Sequence, residues 1–252
     1  LLVKEDAPDC LVRELGARTW SADPLALSGV TDPYQPVERR LEITRRCLEV
    51  AVDCRQPVEI ITKSALAARD VDLLSDLARH RAASVSLTIT TLDEALRRSL
   101  EPRTSTADGR FDAVSRLSAA GVPVGVMVAP VIPGLTDHEI PRILRRAREA
   151  GASWAAYTML RLPHGVASMF EAWLDRHVPA QREKVLGRLR DVRSGKLSDA
   201  CFGTRMRGEG PLADLAEGLF HAARERNHLA AAAPPLSGAA FRRPARTGRL
   251  FE

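Results

Sequence analysis

Val58-Glu59-Ile60-Ile61-Thr62-Lys63-Ser64 is a short apolar run that stops at a charge. Five residues are too few for a helix but suit a strand buried on both faces of a parallel sheet. Four more such runs follow the same grammar, at Leu25–Val30, Val85–Thr90, Val124–Val128 and Trp154–Leu160. Amphipathic stretches lie between them. Val37–Val52 carries Arg39, Arg40, Arg45 and Arg46 between apolar residues at helical spacing. Val71–Arg81 follows Asp70 as N-cap, Phe111–Ala120 ends at Gly121, and His138–Ala150 runs from Asp137 as N-cap to Gly151. Strands recur at about thirty residues, the length of one βα unit. Five units without hairpin signals predict an α/β fold with a parallel sheet. An open doubly wound sheet and a barrel both fit, and in either the ligand sits at the carboxyl ends of the strands.

The pattern changes after Pro163. Phe170–His177, Ala180–Ser194 and Pro211–Asn227 read as helices with no strands between them. The expected organisation is a barrel-like unit over 1–163, a helical extension over 164–228 and a basic, mobile tail over 229–252, which holds four Arg and one Glu. Hydrophobic residues at 45% and charged residues at 27% exclude a wholly disordered or fibrous chain. Aromatics at 4% argue against a protein that reads single strands by stacking. A net charge of +5 and a pI of 9.4 permit phosphate-bearing partners without demanding them. No apolar run reaches about eighteen residues, so no membrane span is expected. Four cysteines, Cys10, Cys47, Cys54 and Cys201, are too few for a disulfide scaffold, and a reduced cytoplasm is the expected location.

The strand ends carry the candidate chemistry. After the first run come Thr31, Asp32, Tyr34 and Glu38 in a loop stiffened by Pro33 and Pro36. They can hold an ammonium or hydroxyl group, or Asp32 can simply cap the next helix. Lys63, flanked by Thr62 and Ser64, can bind a carboxylate or phosphate, form a Schiff base, or reach solvent. The third run ends Thr88-Ile89-Thr90-Thr91, hydroxyls suited to a ligand and equally to a strand. Glu101 and Arg103 stand two residues apart and can clamp a ligand or each other. Pro130 and Pro133 should stop the fourth strand, and Gly134 permits close backbone approach. Cys47 and Cys54, seven apart, read as core thiols. With no CxxC, HExxH, GxSxG or Walker loop, zinc and serine-hydrolase chemistry have little support.

Taken in order, Thr31–Glu38, Ile61–Leu66, Leu100–Arg103, Met127–Asp137 and Phe202–Pro211 resemble the radical SAM proteins related to spore photoproduct lyase, a DNA repair photolyase-like group. The resemblance covers roughly residues 1–228. It implies a partial (β/α)6 barrel lacking its first strand. It also implies S-adenosylmethionine bound to the open iron of a [4Fe–4S] cluster, and an electron donor such as a flavodoxin or ferredoxin. Reductive cleavage would then give a 5′-deoxyadenosyl radical that abstracts hydrogen from substrate, with DNA as a candidate substrate. By the same resemblance Thr31, Asp32 and Glu38 would face the methionyl amine, and Lys63 and Ser64 its carboxylate. Thr88 would keep a hydroxyl where relatives have Ser. Glu101 and Arg103 would reach the ribose or carboxylate, Ile132 and Gly134 would flank the adenine, and Tyr157 would lie near it.

The family's CxxxCxxC cluster loop is absent from this sequence. Three thiolates hold such a cluster, and Cys10 and the Cys47/Cys54 pair do not replace them. The expectation is therefore a piece of a longer radical enzyme whose metal ligands lie upstream, inactive alone. Two alternatives are a cluster-free barrel that binds nucleic acid or S-adenosylmethionine, and an aldolase using Lys63 as Schiff-base nucleophile.

Overall fold

A computed structural model describes residues 3–29, 31–163, 165–197, 204 and 206–244. Its centre is a five-stranded sheet of β1 (Leu25–Leu27), β2 (Val58–Thr62), β3 (Ala83–Ile89), β4 (Val124–Val131) and β5 (Trp154–Met159). The spatial order is β1-β2-β3-β4-β5 and every pairing is parallel. A doubly wound sheet must reverse its order at a switch point; this one never does. Crossovers of one hand then place the connecting helices on one face, the winding of a barrel. The result is a partial barrel of five strands, as the sequence pattern and the resemblance together imply.

The helices between strands are α2 (Glu38–Leu41) and α3 (Ile43–Cys54), then α4 (Val71–Ala78), then α5 (Glu94–Leu100) and α6 (Ala107–Ala119), then α7 (Ile140–Glu149). Before them lies α1 (Ala7–Gly16), and after β5 come α8 (Val166–His177), α9 (Arg182–Asp191) and α10 (Pro211–Arg226). Leu48, Leu74, Leu77, Val114, Leu117, Ile143 and Leu144 meet Val85, Leu87, Val124 and Val126 in the main core. Each such side chain contributes about 1.5–3 kcal/mol. Leu87→Ala, at a fully buried position, would cost about 2–5 kcal/mol.

Several boundaries differ from the sequence pattern, each for a local reason. The helix expected over Val37–Val52 breaks at Glu42, which takes φ +52°. The Glu38 carboxylate accepts from the backbone N–H groups of Thr44 and Arg45 at 3.1 and 3.4 Å. It thereby caps α3 from outside and fixes the break. Asp70 and Asp137 do not cap the helices they precede. Asp70 is engaged by arginines, and a 3₁₀ turn over Asp137–Glu139 intervenes before α7. β4 passes through Pro130 to Val131, with a register irregularity between Val128 and Val131 that absorbs the missing N–H. The structure adds α5 and a first turn of α6 ahead of Phe111, with Asp93 and Thr106 capping them through their side chains. Gly121 (φ +77°) and Gly151 (φ +94°) follow α6 and α7 as expected.

The helical extension forms a second core, in which Ile132, Leu135, Leu160 and Leu162 pack on Phe170, Leu174, Val185, Leu186 and Leu189. Arg193, almost fully buried, donates to the Leu160 carbonyl at 2.8 Å and so ties the extension to the end of β5.

The segment expected as a mobile tail has a described part, 229–244, that makes contacts across the amino-terminal end of the sheet. Ala230 bridges Trp154, Ser237 donates to the Arg81 carbonyl (2.9 Å), and Arg242 to that of Cys54 (2.7 Å). Arg243 reaches the carbonyls of Leu15, Ala17 and Trp20. Gly238 belongs there, because a Cβ would stand 2.6 Å from the Ala22 carbonyl oxygen. Residues 245–252 lie outside the described residues.

Candidate active site

The carboxyl ends of the strands bring four of the sequence-selected residues together. Asp32 is the clamp of the first loop. One of its oxygens accepts from Tyr34 N–H (2.8 Å) and Thr62 hydroxyl (2.6 Å), and the other from Lys63 N–H (2.7 Å). It therefore joins the β1 loop to the end of β2 and does not cap a helix.

Lys63 extends into the mouth, its side chain 30% exposed. Its ammonium contacts Thr90 Oγ1 (3.0 Å), Glu101 Oε1 and the Ala129 carbonyl (3.3 Å), acceptors from three successive segments. Thr90 Oγ1 also lies 2.7 Å from Glu101 Oε1 and 2.8 Å from the Ala129 carbonyl. The three donors of an ammonium are thus matched by three acceptors.

Behind Glu101 stands Arg110, 1% exposed. It donates to the carbonyls of Thr88 (2.6 Å) and Ser105 (2.7 Å) and to Thr104 Oγ1 (2.7 Å), and contacts Glu101 Oε2 at 3.4 Å. Burial pushes the Glu101 carboxyl up; the Lys63 charge, bonds from Lys63 and Thr90, and Arg110 outweigh it, leaving it below its ordinary value. Burial holds the Arg110 guanidinium below its usual range, opposed by Glu101.

Strand alternation decides which other groups join this set. Glu59 and Ile61 stand level with Ser84 and Ser86, and Thr88 with Met127. One face of β3 thus carries Ser84, Ser86, Thr88 and Thr90. At its amino-terminal end this face is closed by Trp154, whose indole would overlap any Cβ on Gly125. Among the described residues the hydroxyls of Ser84, Ser86 and Thr88 have no hydrogen-bond partner, yet none is a fully enclosed orphan. They stand on the inner face, nearly buried, as polar groups that a ligand reaching this face could engage.

The remaining selected residues fall elsewhere. Tyr157 stands level with Val128, on the opposite face. It packs on Phe220 of α10, ring centroids 4.7 Å apart, and its buried hydroxyl has no partner among the described residues. Burial, then Glu217, push that phenol up to about 12. Ile132 is fully buried in the second core, and Gly134 is covered by Arg188. Ser64 caps the following turn by accepting from Leu66 N–H (3.3 Å). Thr31 and Arg103 are exposed.

Glu38 belongs to a second charge group. It accepts from Arg69 (3.0 Å), which also grips the fully buried Asp70 at 2.7 and 2.9 Å. Arg45 adds a bond to Asp70 (3.0 Å), and the Tyr34 hydroxyl another (3.1 Å). Burial and Asp70 hold the Tyr34 phenol well above its ordinary value.

Arg110 was missed in the sequence, although Arg110, Val114 and Leu117 share one apolar stripe. A cation there signals a buried partner.

A profile of the Radical SAM superfamily matches residues 6–147. The chain belongs to the radical SAM superfamily. Among its relatives, an uncharacterised protein of Mycobacterium tuberculosis is 32% identical over 181 residues, 71% of this chain and 53% of its own length. An uncharacterised protein of Methanocaldococcus jannaschii is 32% identical over 139 residues, covering 55% of this radical SAM chain and 50% of its own. A radical SAM Nα-GlyT isomerase of a Pseudomonas phage is 23% identical over 164 residues, 60% of this chain and 34% of its own. The chain spans about half the length of the first curated relatives it matches. In structure it is similar to a spore photoproduct lyase variant with bound AdoMet and dinucleoside spore photoproduct. That likeness has a TM-score of 0.58 at 16% identity, over 81% of this chain and 58% of the other.

The family implies two groups, and the described residues fit them differently. A cation among three acceptors, a carboxylate and a row of unpartnered hydroxyls form a donor set suited to the charged and hydroxyl groups of S-adenosylmethionine. The cluster finds no such set. No three metal-ligating side chains converge among the described residues. Cys47 and Cys54 sit on α3, with burial pushing the Cys47 thiol up to about 11 and the Cys54 thiol also upward. Cys201, like Phe202, Gly203 and Arg205 of the expected carboxyl-terminal signature, lies outside the described residues. No helix among the described residues is long and apolar enough to cross a membrane.

Proposed function

We propose that this chain holds S-adenosylmethionine at the carboxyl ends of β1–β4 and forms the cofactor-binding part of a radical SAM enzyme. The observation that carries the reading is the Lys63 ammonium, held by Thr90, Glu101 and the Ala129 carbonyl beside hydroxyls that have no partner among the described residues. Lys63 would face the methionyl carboxylate as a point charge. Glu101, kept ionised, would accept from ribose hydroxyls or share Lys63 with the ligand. Asp32 would hold the β1 loop against β2, so that loop and lysine keep one register. Thr88 and Ser86 would bond polar edges on the inner face. When bound at a reduced iron–sulfur cluster, the cofactor supplies a 5′-deoxyadenosyl radical for hydrogen abstraction. The residues described here assign no ligands to that cluster, so no step is routed through it.

The finer form of the proposal is a photoproduct-lyase-like repair lyase, with nucleic acid as substrate and a reduced flavodoxin or ferredoxin as donor. It is supported by the likeness to a protein holding a dinucleoside photoproduct, and by the pI of 9.4.

Titration calorimetry of the chain with S-adenosylmethionine tests the core reading. Saturable binding is expected, weakened tenfold or more, about 1.4 kcal/mol, by Lys63→Met. Absent binding, or a Lys63→Met variant that binds unchanged, overturns it.

A further inference from the structure

α10 presents a different surface, which adjoins the carboxyl ends of β4 and β5 at Val131, Gly134 and Met159 and does not include Lys63 or Glu101. Two hollows run beside it. One, of about 350 Å³, is lined by Leu212, Leu215, Ala216 and Leu219 together with Lys184 and Arg188 of α9. The other, of about 400 Å³, is lined by Leu219, Ala222 and Ala223 with Arg142 and Arg145 of α7 and Arg226. They meet at Leu219 and follow one another along α10, whose sixteen residues span about 24 Å.

The floor is apolar and open: Leu215 is 68% exposed and Leu219 37%. They are among the few large apolar side chains the described residues leave in solvent, and they stand one turn apart. The walls are cationic. Arg142, Lys184 and Arg226 have no ion-pair partner among the described residues. Arg188 pairs with Asp137 (3.3 Å), the one carboxylate that lines either hollow among the described residues. Glu217 of α10 faces elsewhere, paired with Arg207 and His221.

We propose that this groove docks an amphipathic helix of a partner protein, with leucines on one face and acidic residues flanking them. Leucines at helical spacing would cover Leu215 and Leu219, and the carboxylates would answer the unpaired cations. A nucleic acid would satisfy the cations but leave the leucines wet, whereas an acidic helix satisfies both. A four-turn helix matches the groove's length.

The probe is a fluorescein-labelled synthetic peptide of about fifteen residues, with Leu at i, i+4, i+7 and i+11 and Glu beside them, followed by anisotropy. Saturable binding is expected. Leu215→Glu should weaken it at least tenfold, as should the double change Arg142→Glu with Arg226→Glu, while far-UV circular dichroism stays unchanged. A scrambled peptide of the same composition should also bind at least tenfold more weakly. Equal binding of the scrambled peptide, or no effect of Leu215→Glu, would leave only general attraction of charge and end the proposal. So would duplex DNA binding more tightly than the peptide and insensitive to Leu215→Glu. A longer natural form that refuses a peptide bound by residues 1–252 would show the groove covered by its own chain, and would end it too.

Discussion

Two buried charge groups lie at the same end of the sheet, and they are built to opposite ends. Around Asp70 the circle is closed. Its side chain is fully buried, and Tyr34, Arg45 and Arg69 saturate it, while Glu38 takes the rest of Arg69 and the first N–H groups of α3. Around Glu101 the circle is open. Arg110 closes it from behind, but on the other side stands Lys63, with 30% of its side chain in solvent. A closed group of this kind fixes shape and offers nothing to a ligand. An open one keeps a partly desolvated charge in place where solvent reaches it, and an incoming anion meets it already oriented. Arg45 and Arg69 also reach water but carry further carboxylates in Asp72 and Glu42, whereas among the described residues Lys63 has Glu101 alone. The same residue types therefore read as brace or as site according to how many opposite charges each cation holds.

The comparison can be broken most forcefully at the brace. Asp70→Ala strands two guanidiniums that are still partly hydrated, so the loss should lie near the lower end of the range for a broken buried pair, about 3 kcal/mol. Urea denaturation checks it, and a loss under about 1 kcal/mol would make the brace no better than a surface pair. Lys63→Met should reverse the balance of effects, with at most about 1–3 kcal/mol of stability lost as Glu101 loses a donor, but a large loss of cofactor binding. A variant that unfolds while its residual folded fraction binds normally would place Lys63 with the brace.

Tyr34→Phe removes one bond to Asp70 and should cost about 1 kcal/mol without altering cofactor affinity. Thermal melts with parallel calorimetry separate the two readouts. The smallest expected effect is in the acid limb. Glu101 is held below its unfolded value, so its contribution is fully present above the unfolded pKa and fades as pH falls through the folded one. Melting temperature plotted from pH 6 downwards should therefore fall less steeply in Glu101→Gln. Identical slopes would mean that Glu101 is not the group whose ionisation the open network holds.

Much of this architecture could be read before any coordinates, and the reason is periodicity. Short apolar runs at βα spacing mark β2, β3 and β5 to within two residues at either end, because a strand buried on both faces has little freedom in composition. The ends of helices were less legible. α2 and α3 separate because a carboxylate six residues back reaches Thr44, a tertiary contact with no trace in local pattern. At the site, Asp32, Lys63 and Glu101 stood out as charges at strand mouths or just beyond them. Tyr157 looked equally well placed on the last strand, yet strand alternation turns it under α10. Parity along a strand is legible only once the register with its neighbour is known. Arg110 was hidden in plain view, a cation on an apolar stripe whose partner lies on another element.

The run of chain from Ala230 to Arg243 gives the molecule an unusual order of assembly. Arg243 reaches back to the Leu15 carbonyl, 228 positions earlier. Closing so large a ring adds little to the entropic cost, which grows only with the logarithm of its length. In time the effect is greater. Contacts of such separation raise the contact order and form after local ones. On a ribosome, the end of α1 waits for its partner until another 228 residues have been made. This late-made segment thus joins the end of α1 to the underside of β5.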